Sequence, residues 1–289
     1  MAQPASNAAA DQASAAQAFA EIRKSPLVSW PAVAILVVYY VVYIWLWKAS
    51  LEGNLNNIVG AAISSFIAYL AFTPSHDAMH RAASRIPWVN ELILRMATFV
   101  AVPFGSGKLF RIMHMQHHRF ANDEKDPDHF LSSHLRNVLL WGVWPFLYLW
   151  TWWRNRDQYP PIKGYTVWGE AAVGVAVIAT MFWFFPQQMI WLWAVPMYFA
   201  FFLMCVVFMV LPHYPHHVKD SDDPYQATVI RTGWEWLMTP LMMYQNYHLV
   251  HHLYPTVPFY RYKKAWLARE EFHESHNPAK VTAFQLFRD

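Results

Sequence analysis

Residues 171–212 have the sequence AAVGVAVIATMFWFFPQQMIWLWAVPMYFAFFLMCVVFMVLP, which holds 42 residues and no Asp, Glu, Lys, Arg or His. About 20 apolar residues of helix span the hydrocarbon core of a bilayer, so this stretch is long enough for two crossings. The tripeptide PQQ at 186–188 interrupts it near the middle, and a proline there is typical of a helix break. The sequence therefore predicts membrane helices at about 165–185 and 189–211.

Two further uncharged stretches lie nearer the N-terminus, at 25–47 and 53–75. Each contains 23 residues, which is the length of one bilayer crossing. The short polar sequence LEGNLNN lies at their junction and is typical of a turn. We therefore predict an all-α integral membrane fold with four transmembrane helices.

The composition of the whole chain agrees with a membrane protein. Of the 289 residues, 56% are hydrophobic and only 14% are charged, whereas soluble domains carry about 25% charged residues. One cysteine, Cys205, excludes an intrachain disulfide framework, and a net charge of +3 is too small for a nucleic-acid partner. Residues 1–24 are rich in Ala, Gln and Ser and lack the features of a secretory signal, so we expect a mobile tail followed by a single domain at 25–289.

Two other apolar segments are poorer candidates for crossing the membrane. Residues 88–102 contain Glu91 and Arg95, and residues 137–153 contain five tryptophans and a proline. Both compositions are typical of helices at the membrane interface. Buried helices of a cap domain are an equally good interpretation.

The distribution of charge predicts the orientation of the chain. Four spans place residues 1–24, 76–164 and 213–289 on the same side of the membrane, with 21 of the 22 Lys and Arg residues and all 15 histidines. The other side carries a single cation, Lys48. By the positive-inside rule, both termini and a histidine-rich helical cap are cytoplasmic.

Eleven of the histidines fall in four short motifs, SHDAMH, HMQHH, LPHYPHH and NYHLVHH. Spacings of three and four residues direct side chains to one face of a helix, so each motif can aim at least two imidazoles at a common point. In LPHYPHH, Pro212 and Pro215 disturb a regular helix, and His213 is the member that the preceding span holds most firmly. The candidate ligands are His76, His80, His114, His117, His118, His213, His248, His251 and His252, with His216 and His217 as alternatives to His213.

A single cytosolic histidine pair is usually a surface feature, but four motifs, two of them at the ends of predicted spans, favour a metal site. Three or four protein ligands suffice for one zinc ion, whereas eight or nine imidazoles suit two iron ions. A bis-histidine haem protein would place its axial ligands within the membrane helices, and the predicted spans contain no histidine. A non-catalytic metal or haem sensor remains an alternative, and a transporter would require ionisable groups at mid-membrane.

Acidic residues close to these motifs are candidates to orient the ligands. Asp77 follows His76, and the sequence NDEKDPDHF supplies Asp126 and Asp128 after the second motif, along with Asp123. A carboxylate that accepts the second ring N–H of a ligating histidine sets its tautomer and orientation. A polar turn explains the DPD sequence equally well, and Asn246 is either a weak ligand through water or a helix cap. The remaining histidines are expected at the surface: His129, His134, His273 and His276.

The sequences HDAMH, HMQHH and HLVHH, in this order between membrane spans, resemble the three histidine boxes of the membrane fatty-acid desaturase and hydroxylase superfamily. The resemblance covers about residues 60–265, and NDEKDPDHF, VLPHYP and QNYHLVHHLYPTVPFYRY are most similar to the β-carotene hydroxylase branch, with the ketolases next. It implies a non-haem di-iron centre on the cytosolic face that uses O₂ as co-substrate. The nine candidate histidines match the ligand positions of the family.

The resemblance also implies a substrate and a redox partner. The expected reaction is hydroxylation of a carotenoid β-ionone ring, and desaturation, hydroxylation or oxidative decarboxylation of a fatty-acyl chain is the alternative. No electron-transfer domain is fused to the sequence, so a separate donor such as a ferredoxin is expected. Arg261, Lys263 and Lys264 follow the last histidine motif and form either a docking site for an acidic donor or an anchor to anionic lipid.

Overall fold

The computed structural model describes residues 16–128 and 135–286. After a helix at residues 16–23, the helices of this part of the chain are, in order, α1 (Trp30–Leu51), α2 (Asn57–Met79), α3 (Pro87–Phe99), α4 (Gly107–Phe120), α5 (Trp144–Arg154), α6 (Gly164–Phe184), α7 (Pro186–His213), α8 (Pro224–Ala227), α9 (Glu235–Leu241), α10 (His248–Leu253), α11 (Tyr262–Leu267) and α12 (Glu270–Glu274). Short 3₁₀ helices occupy Leu135–Val143, Arg156–Gln158, Gln245–Tyr247 and Phe259–Arg261.

The prediction of four membrane helices is confirmed. Among the described residues, α1, α2, α6 and α7 are the four helices long and apolar enough to cross a bilayer. The break between α6 and α7 falls at the predicted PQQ sequence, where Pro186 starts α7 because the first turn of a helix does not use its N–H group. Asn56 begins α2 by accepting hydrogen bonds from the N–H groups of Ile58 and Val59, at 3.0 and 3.2 Å.

α2 is the most deeply packed of the four spans and positions the others. It contacts α1, α3 and α7. In its most apolar 18-residue stretch, 61% of the residues are buried, against 11% in the corresponding stretch of α6. The Ser64 hydroxyl donates to the carbonyl of Leu192 at 2.8 Å, which ties α2 to α7 within the membrane. α6 therefore presents nearly all of its surface to lipid, whereas α2 carries its C-terminal histidines into the interior of the protein.

α7 is interrupted by two π-helical segments, Met189–Ala194 and Cys205–Val210. A π turn contains an extra residue and changes the direction in which the following side chains point, and such turns are frequent at functional sites. The second segment ends three residues before His213, so it sets the direction of that side chain. Its Phe208 ring packs edge-on against Phe72 of α2, with ring centroids 4.8 Å apart.

The segments at 88–102 and 137–153 form helices with one exposed apolar face, as the interface interpretation requires. Trp88 and Phe99 of α3 are exposed, as are Phe146 and Trp150 of α5. The charges of α3 do not pair with each other, because Glu91 forms an ion pair with Arg111 and Arg95 forms one with Glu170. Exposed apolar faces of this kind are suited to the edge of a membrane.

Two parts of the fold differ from the sequence predictions. Residues 16–23 form a helix in which Phe19 and Ile22 are buried, so the predicted mobile tail is wrong for this segment, and residues 1–15 lie outside the described residues. The cap is not purely helical, since strands β1 (Ile230–Thr232) and β2 (Lys280–Thr282) form a two-stranded parallel sheet. These short strands pair because distant segments of the chain meet there, which local periodicity does not encode.

The contact between α6 and the loop after α3 depends on the absence of a side chain at Gly174. A Cβ atom at this position would lie 2.2 Å from the carbonyl oxygen of Pro103, whereas a Cβ at Gly169 of the same helix has nothing within 4 Å. We expect Gly174→Ala to destabilise the purified protein, because overpacking costs about 1–3 kcal/mol. Gly169→Ala gains up to about 1 kcal/mol of helix propensity and should not lower the melting temperature. Equal melting temperatures for both variants in detergent would contradict this contact.

Candidate metal centre

The nine candidate histidines come from four separate elements and converge on one buried region below the ends of α2 and α7. His76 lies in the last turn of α2, and His80 follows that helix directly. His213 is the last residue of α7. The other six lie on two helices of the cap: His114, His117 and His118 on α4, and His248, His251 and His252 on α10.

Five of these imidazoles form the first group, which we name cluster A. Ring nitrogens of His76, His80, His114 and His251 all lie within 4.8 Å of one another. The closest approach joins the Nε2 atoms of His80 and His114, at 2.7 Å. His118 completes the cluster, because its Nε2 lies 2.8 Å from the Nε2 of His251.

The other four imidazoles form cluster B. Ring nitrogens of His117, His213, His248 and His252 lie within 4.8 Å of one another. The Nε2 atom of His248 is 3.0 Å from that of His213 and 3.1 Å from that of His252. The two clusters are neighbours, since the rings of His118 and His252 stack with centroids 4.3 Å apart.

These distances fit two bound metal ions. An imidazole nitrogen lies about 2.0–2.1 Å from its metal ion, so two ligands at right angles are about 3 Å apart. The facing Nε2 pairs, at 2.7–3.1 Å, match this separation. Two facing lone pairs are otherwise repulsive unless a proton lies between them, and a shared cation removes that repulsion for a whole cluster at once.

The protonation states of the cap histidines also suit metal binding. Burial, reinforced by the neighbouring imidazoles, lowers the pKa of the residues outside the spans, namely His80, His114, His118, His248, His251 and His252. Their rings are therefore neutral near pH 7, with one nitrogen lone pair available to a cation. Burial acts in the same direction on His117, but the Asp126 carboxylate outweighs it and raises the pKa of His117 to about 9.

Residues 55–282 of the sequence match the fatty acid desaturase family. The chain belongs to this family. Two curated relatives are the β-carotene ketolase of Paracoccus sp. strain PC1, 28% identical over 79% of this chain and 87% of the relative, and that of Paracoccus sp. strain N81106 / MBIC 01143, 26% identical over 82% of this chain and 90% of the relative. The chain is thus an oxidoreductase of the desaturase family, as its histidine motifs indicated, and an integral membrane protein.

Behind cluster B of this desaturase-family enzyme, two of the candidate carboxylates contact His117. The Nδ1 atom of His117 lies 3.0 Å from both carboxylate oxygens of Asp126, so Nδ1–H donates to Asp126 and Nε2 is directed to cluster B. Asp128 lies 3.5 Å from the same nitrogen and accepts a hydrogen bond from the Tyr148 hydroxyl. The backbone N–H groups of Asn122 and Asp128 donate to Asp126, at 3.1 and 2.9 Å, and hold its carboxylate in place.

The structure corrects the prediction for Asp77. The Asp77 carboxylate accepts from the N–H of Phe259 at 3.2 Å, so it fastens the loop after α10 to α2 and does not contact a histidine nitrogen. The Asn246 amide nitrogen donates to the Thr239 hydroxyl at 3.2 Å, and its Oδ1 atom is buried without a hydrogen-bond partner among the described residues. A residue that follows a candidate ligand in the sequence does not have to contact that ligand, because neighbouring residues on a helix point in different directions.

Three residues that the sequence analysis missed contact the second ring nitrogen of a cluster histidine. Gln245 Oε1 lies 2.6 Å from His248 Nδ1, Tyr262 Oη lies 3.0 Å from His251 Nδ1, and Asn122 Oδ1 lies 3.3 Å from His213 Nδ1. Gln245 precedes His248 by three residues, and this helical spacing was the one available sequence signal. Asn122 and Tyr262 reach their partners through tertiary packing.

The histidines outside the two clusters have other environments. His216 is buried with its ring stacked on that of His213, at 5.5 Å between centroids, whereas His217 is exposed. Of the three histidines in LPHYPHH, His213 has the ring nitrogen that faces cluster B. His273 was expected at the surface but is buried and stacked on Trp266, at 4.8 Å. His276 is exposed as expected, and His129 and His134 lie outside the described residues.

A small cavity adjoins both clusters on their membrane side. Its volume is about 30 Å³, which is space for one or two molecules of the size of water. Imidazoles of both clusters line it, together with apolar side chains and two polar residues, Asp128 and Tyr148. The lining residues are Phe72, His76, His114, His117, Asp128, Trp144, Tyr148, Met204, Phe208, Met209 and His248. A small reactant in this cavity would therefore contact both clusters.

The contact between Asp126 and His117 predicts a loss of metal on mutation. Asp126→Asn removes the carboxylate that accepts from His117, and loss of such a partner weakens metal binding by about 10–100-fold. The matched control is Asp123→Asn, because Asp123 pairs with Lys219 at 2.6 Å, away from the clusters. Both variants would be purified and challenged with a graded series of chelator, and bound metal would be measured by plasma mass spectrometry. Equal retention of metal by the two variants would refute the role of Asp126.

Proposed function

We propose that the chain is an O₂-dependent, non-haem di-iron oxygenase that acts on a long apolar lipid in the membrane. The observation that carries this proposal is the convergence of nine imidazoles into two adjoining clusters at the ends of α2 and α7. Metal donors at the boundary of an apolar, membrane-embedded space suit a substrate that does not leave the bilayer.

The donor set supports iron as the metal. Cluster A offers five imidazole donors and cluster B four, which is more than the tetrahedral set that a structural zinc ion takes. Nitrogen ligands are suited to iron, and the family is characterised by iron centres of this kind. When bound, the two iron ions would supply the redox chemistry that activates O₂ and oxidises an unactivated C–H bond.

The residues of the chain contribute binding and orientation. The second ring nitrogens of four cluster histidines are occupied, so the Nε2 atom of each of these four is left to face a metal ion. Asp126 contacts His117, Gln245 contacts His248, Tyr262 contacts His251 and Asn122 contacts His213. Trp144 and other apolar side chains of the small cavity exclude water from the reacting carbon. Exclusion of water protects a reactive intermediate and strengthens electrostatic contacts.

The proposed substrate is a carotenoid, oxidised on its β-ionone ring. The matched relatives are named β-carotene ketolases, and the family allows both ring hydroxylation and ring ketone formation. Hydroxylation is our first proposal, and a ring ketone is the second because of these relatives. The acyl-chain reactions remain the alternative that the substrate assay tests.

We also propose that the metal centre faces the cytoplasm. The asymmetry of Lys and Arg supports this orientation, with both termini on the same side. Electrons then come from a separate cytoplasmic donor such as a ferredoxin. Lys263 and Lys264 are exposed next to the last histidine motif and are suitable for an acidic donor, whereas Arg261 donates to the carbonyls of Ile22 and Lys24.

The substrate is tested by expressing the chain in a bacterial host that makes β-carotene and analysing the total lipid extract by mass spectrometry. We expect hydroxylated or ketolated carotenoid with the intact chain. His117→Ala should abolish the product, because it removes a donor from cluster B. His217→Ala is the matched control, since His217 is exposed, and it should retain the activity.

Other products of this experiment have a defined meaning. Unchanged carotenoid beside new unsaturated, hydroxylated or shortened acyl chains would replace the carotenoid proposal by the acyl-chain alternative. Full activity of His117→Ala would overturn the metal-centre proposal altogether.

The donor proposal is tested with the double variant Lys263→Glu/Lys264→Glu. Reversed charges slow electrostatically steered association, so turnover with a ferredoxin at low ionic strength should fall about tenfold. Turnover driven by a small chemical reductant should stay at the level of the unmodified chain. An equal loss with both reductants would show damage to the enzyme and count against docking at these lysines.

A further inference from the structure

A large apolar groove lies between α1, α3 and α6, on the face of the protein that α6 exposes to lipid. One part has a volume of about 470 Å³ and is lined by Tyr40, Phe99, Val173 and their neighbours. A second part, of about 360 Å³, shares Phe99 and Pro103 with the first and continues between α1, α6 and α7. We call these two parts the outer groove. Their volumes lie in the range of sites that take sizeable ligands, roughly 300–1,000 Å³.

A chain of shared lining residues connects the outer groove with the metal clusters. Thr98 and Val102 line the outer groove and also an inner cavity of about 20 Å³. This inner cavity shares Phe72, Trp144 and Met204 with the cavity that adjoins clusters A and B. A row of cavities that share wall residues therefore leads from the lipid-facing surface to the histidines. We call the two small cavities of this row the inner passage.

We infer that the apolar substrate enters sideways from the bilayer, lies in the outer groove and reaches the metal centre through the inner passage, with Thr98 and Val102 as the narrow point that selects it. This inference rests on the proposed function and adds the binding site and the route. A long polyene or acyl chain dissolves in the bilayer core, so it meets the protein at the face formed by α6. Two charged side chains line the groove, Arg95 and Glu170. They form an ion pair with each other, so no unpaired charge faces such a ligand.

The inner passage is too narrow for a substrate ring as it stands, so side chains must move during binding. Three residues between its two cavities are suited to this movement. Met204 is flexible, and Phe72 and Trp144 meet edge-to-face, at 6.2 Å between centroids. Trp144 also packs against Phe110, Tyr148 and Phe201, so its ring moves only together with theirs. The indole N–H of Trp144 is buried without a hydrogen-bond partner among the described residues, so rotation of the ring breaks no hydrogen bond.

The walls of the passage near α3 consist of small side chains. Ala97 and Ala101 of the α3 region face Ala68 and Ser75 of α2 across the inner cavity. Larger residues at these positions would close the space completely. The position of Thr98, half-buried at the junction with the outer groove, allows a larger side chain there without crowding the core.

The binding site is tested by cysteine protection, because the native Cys205 is buried and gives a low background. Val173→Cys places a thiol in the outer groove, and Val175→Cys places one on the same helix outside the lining of the groove. Both valines are exposed, at 67% and 58%, which makes them a matched pair. The metal-loaded enzyme in detergent would be labelled with N-phenylmaleimide, without reductant, in the presence and absence of β-carotene.

We expect β-carotene to slow labelling of Val173→Cys about tenfold at ten times its Kd and to leave Val175→Cys unchanged. Equal labelling rates of Val173→Cys with and without β-carotene, for an enzyme that converts β-carotene, would overturn the route.

The narrow point is tested by Thr98→Phe, with Leu92→Phe as the control on an exposed part of the same helix. Thr98→Phe should lower β-carotene conversion at least about tenfold, since a small displacement of the reacting carbon has such an effect. Metal content should equal that of the unmodified chain, and Leu92→Phe should convert β-carotene normally. Normal conversion by Thr98→Phe would exclude Thr98 from the route.

If the unmodified chain does not convert β-carotene, the proposed substrate is wrong, and this result is obtained separately from the test of the route. Dioleoylphosphatidylcholine then replaces β-carotene as the probe in both experiments. Protection of Val173→Cys by this lipid would support the route, and equal labelling with and without it would overturn the route.

Discussion

The arrangement of this protein depends on bringing nine imidazoles together where the membrane helices meet the cap. Six of them are buried, and the other three, His114, His118 and His252, are half-buried. Facing Nε2 atoms lie 2.7–3.1 Å apart, so the two rings of a facing pair cannot both be protonated there, and a shared proton or a shared cation removes the repulsion between their lone pairs. Two of the four contributing elements are the ends of membrane helices, and the other two are cap helices packed against them. The same group of side chains therefore joins the membrane spans to the cap.

Hydrogen bonds to the second ring nitrogens of the cluster histidines explain how these side chains keep their orientation. Asp126 orients His117, Gln245 orients His248 and Tyr262 orients His251, and each contact determines which ring nitrogen is left for a metal ion. Asp77 has a different task, because it joins the loop after α10 to α2 through the N–H of Phe259. The membrane helices and the cap are thus connected beside the site, which limits movement of the ligands.

The same packing creates an opening toward the lipid. α2 is buried among its neighbours, but α6 contacts the rest of the protein along little of its length, and a groove is left between α6, α1 and α3. The groove narrows toward the histidines between Phe72, Trp144 and Met204. In the proposed route, these adjoining cavities connect the lipid-facing surface with the two histidine clusters.

Local physical signals were enough to predict the four spans and the nine histidines. Hydrophobic length determines whether a helix crosses a bilayer, and helical spacing within HMQHH and HLVHH determines which imidazoles share a face. For α3 and α5, the composition predicted apolar helices but allowed both a position at the membrane interface and a buried one. Residues 16–23 were misjudged because Phe19 and Ile22 pack against the cap, a contact that composition does not reveal.

The sequence by itself determined which residue types are available as candidate ligands and that two of the four histidine motifs lie at the ends of membrane helices, because periodicity and hydrophobicity are local properties. Only the tertiary structure decided how the histidines divide into clusters A and B, and that Asn122 and Tyr262 contact them while Asp77 and Asn246 do not. These features depend on the crossing of helices far apart in the chain, where packing, and not sequence distance, sets which atoms meet.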